Sequence, residues 1–120
     1  RLGLDTPTTY YFAAGGLSAV LDNAPTYLNF LQVAVAPNEI TKEGIHALIS
    51  TPVGRVMLDA ISCGAVFFGA MSYIGNGPNF MVRSIAEASE IKMPSFFAYV
   101  GWACVLLLPV LVLNWAVFIR

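Results

Sequence analysis

A five-residue run, Gly75-Asn76-Gly77-Pro78-Asn79, cuts through a predominantly apolar stretch spanning residues 56–82. Such a run does not continue a regular helix. Gly77 adds backbone freedom, and Pro78 lacks an N–H and crowds the carbonyl four residues back. The residue before a proline is also pushed out of the helical region. In a water-soluble protein this would be an ordinary loop, but the flanks are too apolar. The whole chain is 58% hydrophobic and 11% charged, against roughly 45–50% and about 25% for soluble domains. The expected structure is a broken transmembrane helix over residues 54–90, unwound at residues 75–79. Backbone freed at membrane depth is tolerated only where protein buries it or it lines a cavity, commonly an ion or substrate site.

Residues 1–36 hold a second interruption. A polar lead-in with Asp5, Pro7 and three threonines marks a helix start. Two apolar limbs of about a dozen residues, roughly 18 Å each, follow, whereas a span needs about 20 residues. Asp22-Asn23-Ala24-Pro25 separates them. The pattern favours a re-entrant hairpin with its tip at residues 22–26 over a single kinked span across residues 10–36. A carboxylate at membrane depth costs about 2.5–3.5 kcal/mol and usually faces a cavity or a partner. Asp22 is therefore a candidate site residue. The plainer alternative is a helix cap, since Asp22 or Asn23 precedes a limb with Pro25 in its first turn. The two roles are compatible, because the positive end of that half-helix points at whatever the tip binds.

Residues 37–53 form a polar linker between Pro37 and Pro52, carrying Glu39, Lys42, Glu43 and His46. Ile40, Ile45, Leu48 and Ile49 fit a short amphipathic helix at the membrane interface. Arg55 and Asp59, four apart, are expected to pair near the headgroups. Ser62, Gly64, Gly69, Ala70 and Ser72 are small residues of the kind that let helices pack closely in lipid. After the break, a half-helix leads to a polar turn with Arg83, Glu87, Glu90 and Lys92. Residues 91–120 make a final transmembrane helix, its charge-free stretch running over residues 96–119. Trp102 and Trp115 stand near its ends as interfacial anchors, and Pro109 is its internal breaker, expected to be absorbed by neighbouring helices. Arg83 and Lys92 favour a cytoplasmic turn, which places the C-terminus outside.

The expected class is an all-α integral membrane protein, with the lipid bilayer as its first partner. The net charge of −1 gives no nucleic-acid footprint. Cys63 and Cys104 sit in apolar segments as packing residues, and one histidine without a Cys-x-x-Cys pattern argues against a metal centre. No signal-peptide pattern follows Arg1. Two full spans are few for a transporter, so the chain is expected to be the C-terminal portion of a longer protein. Asp22, Asn23 and Thr26 from one element and Asn76 and Asn79 from the other come to similar depth. Side-chain oxygens and freed carbonyls there suit a small hard cation, while half-helix N-termini favour an anion nearby.

The tip motif Ser18-x-x-x-Asp22-Asn23-x-Pro25-Thr26, the Gly75-Asn76-Gly77-Pro78-Asn79 break and a last apolar helix together resemble the ion transporter superfamily. That superfamily includes citrate and dicarboxylate carriers, arsenite-pump membrane subunits and sodium–proton antiporters. The likeness covers the chain from about Tyr10 onward. It implies an inverted-repeat transporter, usually a homodimer, with an equivalent hairpin and broken helix in the other half. It implies no enzymatic activity and no cofactor beyond Na⁺ or H⁺ as coupling ion. By this resemblance Asp22, Asn23, Thr26, Asn76, Gly77 and Asn79 line the site, supported by Ser18, Pro25, Ser72, Gly75 and Pro78. A Na⁺ would sit at Asp22, Asn23, Asn76 and Asn79.

One departure bears on the substrate. Anion carriers of the superfamily tend to have a Ser-Asn-Thr tip without an acid, whereas this chain reads Leu21-Asp22-Asn23. A carboxylate disfavours a carboxylate substrate and suits Na⁺ or H⁺ exchange. The sequence thus tilts toward a sodium–proton antiporter-like exchanger in the inner or plasma membrane of a prokaryote. Sodium- or proton-coupled citrate or dicarboxylate transport is the alternative. A channel subunit is more remote, and a purely structural subunit leaves Asp22 and the break without a reason. A soluble phosphate-loop enzyme lacks the lysine and the strand-to-helix context.

Overall fold

The computed structural model describes residues 6–35 and 40–120. The first residues of the lead-in and of the polar linker, Asp5, Pro37 and Glu39 among them, lie outside the described residues. Among the described residues all regular secondary structure is helical. Helices α1 (Pro7–Ser18) and α2 (Asn23–Val35) are followed by the short α3 (Lys42–Ile49) and the long α4 (Pro52–Phe67). A 3₁₀ turn, Phe68–Met71, prolongs α4. Helix α5 (Gly77–Ala88) comes after the break, and α6 (Phe96–Leu106) and α7 (Leu108–Asn114) follow, α7 ending in a π-helical turn, Trp115–Ile119.

Hydroxyl caps set most of the helix starts. Thr6 Oγ1 accepts from Thr9 N (3.3 Å), Thr41 Oγ1 from Gly44 N (3.1 Å), Thr51 Oγ1 from Gly54 N (3.0 Å) and Ser95 Oγ from Ala98 N (3.3 Å). Pro7 and Pro52 open their helices, where a missing N–H costs nothing.

The centre of the packing is α4, with α1 against it. A Cβ on Gly64 would fall 2.5 Å from the Tyr11 carbonyl oxygen, so at that point the two helices touch backbone to backbone. Small residues permit this close approach, which supplies the van der Waals contact that holds helices together in lipid. Tyr11, Ala60, Ile61 and Phe68 are buried around the crossing, and the Tyr11 ring meets Phe68 edge to face at 5.4 Å.

Helix Pro52–Met71, 20 residues long, is long and apolar enough to cross a membrane. The pair Phe96–Leu106 and Leu108–Ile119 passes the same test only taken together, because it bends by 43°. The expected final helix is thus sharply kinked rather than straight. Pro109 cannot donate to the carbonyl of Val105 and crowds it. Just past the bend, the Tyr11 hydroxyl donates to Leu111 O (2.9 Å) and Asn114 Oδ1 (3.2 Å). Trp115 Nε1 donates to Thr8 Oγ1 (3.0 Å), so this tryptophan ties the last helix to α1 rather than standing free as an anchor. Tyr11→Phe should lower the stability of the detergent-solubilised protein by about 1 kcal/mol, read as a fall in the thermal midpoint.

The expected Arg55–Asp59 pair does not form. Arg55 Nε instead donates to Ile49 O (2.7 Å), an orphan carbonyl at the C-terminus of α3 whose partial negative charge competes with the carboxylate. Among the described residues the ion pair present joins Arg83 and Glu87, at 3.0 Å.

Candidate functional site

Helix α1 stops at Ser18 and α2 begins at Asn23, leaving residues 19–22 as a tight turn. The irregular segment after the 3₁₀ turn covers residues 72–76. It begins and ends three residues before the stretch expected to be unwound. Pro78 lies inside the first turn of α5, where a proline fits because that N–H has no intrahelical partner. Gly77 is exposed with open space around its Cα, so no close contact demands a glycine there.

The turn and the break are pressed together. A Cβ on Gly75 would meet Gly69 O at 2.6 Å, Ser18 O at 2.8 Å and Ala19 O at 3.1 Å, all backbone atoms that cannot swing aside. Only glycine fits.

Three polar side chains stitch this contact. Buried Ser72 donates through Oγ to Ala19 O (2.5 Å) and accepts from Ile74 N (3.2 Å) and Gly75 N (3.1 Å). Asn79 Nδ2 donates to Gly69 O and Ser72 O, both at 3.0 Å, using carbonyls that the end of the α4 helix leaves free. Oriented so that its nitrogen rather than its oxygen meets the surrounding acceptors, the Asn23 amide lies 2.8 Å from Gly75 O and 2.9 Å from Ser18 Oγ and Ala65 O. Ser18 Oγ in turn donates to Ala65 O. Ser18, Asn23, Ser72, Gly75 and Asn79 thus form one continuous seam.

The remaining candidates stand around it. Thr26 is fully buried and donates to Asp22 O (3.0 Å). The Asp22 side chain is exposed, its Oδ1 accepting from Asn23 N at 2.8 Å. Pro25 is exposed in the first turn of α2, and half-buried Asn76 stands at the start of α5 without capping it through its side chain. The sequence alone places Gly69 among small packing residues and Arg83 in a polar turn. Yet Gly69 supplies a carbonyl to Asn79, and the Arg83 guanidinium lies over the ring of Tyr73, inside the break. The Arg83/Glu87 spacing of four was the available signal for the second.

This arrangement brings the starts of α2 and α5 side by side, since Asn23 at the first position of α2 reaches Gly75, two residues before α5. Each helix N-terminus carries about half a positive charge on N–H groups without helical partners. Such ends favour an anion, and at α2 one of these groups, Asn23 N, already meets the Asp22 carboxylate. Among the described residues no three His, Cys, Asp or Glu side chains cluster to hold a metal ion. A cation here would therefore draw on carbonyl, amide and hydroxyl oxygens with the Asp22 carboxylate, a donor set suited to a hard ion.

A family model described as "Putative citrate transport" matches residues 1–119. No curated protein and no solved structure matches the chain significantly. The chain belongs to this citrate-transport family, which supports a membrane transporter.

Proposed function

Taking membership of that family as the premise, we propose that the chain forms the site-bearing part of a secondary active transporter for polycarboxylates such as citrate. In this reading α1, the turn and α2 are a re-entrant hairpin, and α4 with α5 is a broken span. The kinked α6–α7 pair is scaffold in the lipid bilayer. An equivalent half of the same protein would complete an inverted repeat, assembled as a homodimer in a prokaryotic inner or plasma membrane. The observation that carries the proposal is the Asn23 amide, at the first position of α2, set against Gly75 O two residues before α5, which brings two helix starts to one junction, and helix starts favour an anion.

This reverses the leaning toward sodium–proton antiport. That leaning rested on the Asp22 carboxylate, which stands exposed at the turn and accepts from Asn23 N at the start of α2. Asp22 fits a coupling role: it would hold Na⁺ or H⁺ next to the bound anion and offset the repulsion between them. Cation exchange stays as the second reading, favoured by the same carboxylate.

The test is uptake of labelled citrate by the intact transporter in proteoliposomes under imposed Na⁺ or H⁺ gradients. Saturable, gradient-driven accumulation is expected. Collapse of a proton gradient on adding Na⁺, with no citrate entry, would establish antiport instead. Asp22→Asn is expected to cut gradient-driven accumulation at least about tenfold, the size of one charged contact, while leaving folding and insertion intact. If that variant accumulates citrate normally, Asp22 is only a helix cap.

A further inference from the structure

Tyr73, within the break and almost fully buried, anchors a second cluster beside the seam. Its ring stacks on Tyr99 with centroids 4.2 Å apart, and its hydroxyl donates to Pro94 O (3.0 Å). The Tyr99 hydroxyl donates to Ala70 O (3.0 Å), at the end of the α4 helix. The guanidinium carbon of Arg83 lies 4.6 Å from the Tyr73 ring centre, and Nε donates to Glu87 Oε1 (3.0 Å). Arg83 is thus held by an aromatic face and by a carboxylate.

Its position is unusual for a residue six places into α5, about 9 Å along the axis from the start. Helical side chains lean toward the N-terminus, and the contact with Tyr73 brings this one back to the break. Among the described residues Arg83 is the one cation whose charged group contacts residues 72–76. A guanidinium carries five donors in a planar fork. Nε uses one on Glu87. The two Nη groups make no hydrogen bond among the described residues, and 28% of the side chain stays exposed. An oriented, partly open fork of this kind matches a carboxylate.

Charge balance gives it a task. Two helix N-termini supply about one positive charge between them, and the Asp22 carboxylate on Asn23 N already offsets part of it, so a polyanion needs a further cation. We infer that Arg83 binds a second carboxylate of the substrate and sets the preference for polyanions, with Tyr73 and Glu87 as its positioning residues. This inference rests on the polycarboxylate reading above and adds the residue that selects among carboxylates.

The experiment is competition against labelled citrate uptake in proteoliposomes, using tri-, di- and monocarboxylates of similar carbon skeleton. Wild type, Arg83→Gln and Arg83→Lys are compared. Wild type should prefer them in order of charge. Arg83→Gln should raise the apparent KM for the tricarboxylate by about 10- to 100-fold, the effect of losing one charge-assisted pair. The three competitors should then converge. Arg83→Lys, which keeps the charge without the fork, should fall between. If Arg83→Gln lowers the maximal rate for all three and preserves their order, Arg83 only packs on Tyr73 and the inference is wrong. If wild type takes up no carboxylate at all, the transport reading itself falls and takes this inference with it.

Discussion

Asn23→Asp should destabilise the protein by about 3 kcal/mol or more and abolish transport, although it exchanges only an amide for a carboxylate. The Asn23 amide nitrogen sits 2.8–2.9 Å from Gly75 O, Ser18 Oγ and Ala65 O. A carboxylate brings acceptors against those acceptors. Only the Ser18 hydroxyl can turn its proton toward it, and doing so strips Ala65 O of the donor it has. The buried carbonyls then lose their partners while a charge is left half-buried, and both effects are costly. The neighbouring Asp22→Asn changes a side chain exposed at the turn and should leave stability almost unchanged. Thermal unfolding of the two variants in detergent separates them. Equal midpoints would mean that the Asn23 amide does not hold the turn to the break.

Gly75→Ala tests the same seam through shape rather than polarity. Its Cβ would lie 2.6 Å from Gly69 O, 2.8 Å from Ser18 O and 3.1 Å from Ala19 O, so the turn and the break must part. Overpacking of this kind costs about 1–3 kcal/mol. The larger effect should be on function, because a shift of about 1 Å in a preorganised site can cost a hundredfold. Transport should fall by about that factor with insertion preserved. Gly77→Ala, two residues on and facing open space, should be neutral or slightly stabilising. Uptake and thermal midpoints for the pair decide the point, and similar losses in both would argue for general backbone flexibility rather than a close contact.

The helical class was legible in the sequence because it follows from composition and from apolar stretches too long for a soluble domain. The partners of each polar residue were not. Asp22 and Asn23 are adjacent, and insertion cost singles out the acid, yet it is the amide that faces Ser18, Ala65 and Gly75. Which of two neighbours points inward depends on where α4 crosses the turn, and a linear pattern does not carry that information. The break shows the same limit. Proline marks a place where a helix cannot continue from before, but it equally marks where one can start, and Pro78 takes the second role. Ser72 is both a small packing residue and a supporting site residue by resemblance, and its hydroxyl links three backbone groups of the turn and the break. Arg55 had a partner at ideal spacing and took a helix-end carbonyl instead. Pro109 was visible, while the contacts that the last helix makes with α1 past its 43° bend were not.

In the proposed transporter the turn and the break line one carboxylate site. The most direct test places single cysteines at exposed Leu21, next to Asp22, and at Asn76 of the intact transporter, with a control at exposed Glu90. Native Cys63 and Cys104, both free thiols, are replaced first. Labelling by a membrane-impermeant maleimide is then timed with and without citrate. Citrate should slow labelling at both site positions over the concentration range that saturates uptake, and leave position 90 unchanged. Unaltered labelling at both positions in protein that still takes up citrate would put the substrate elsewhere and contradict the account.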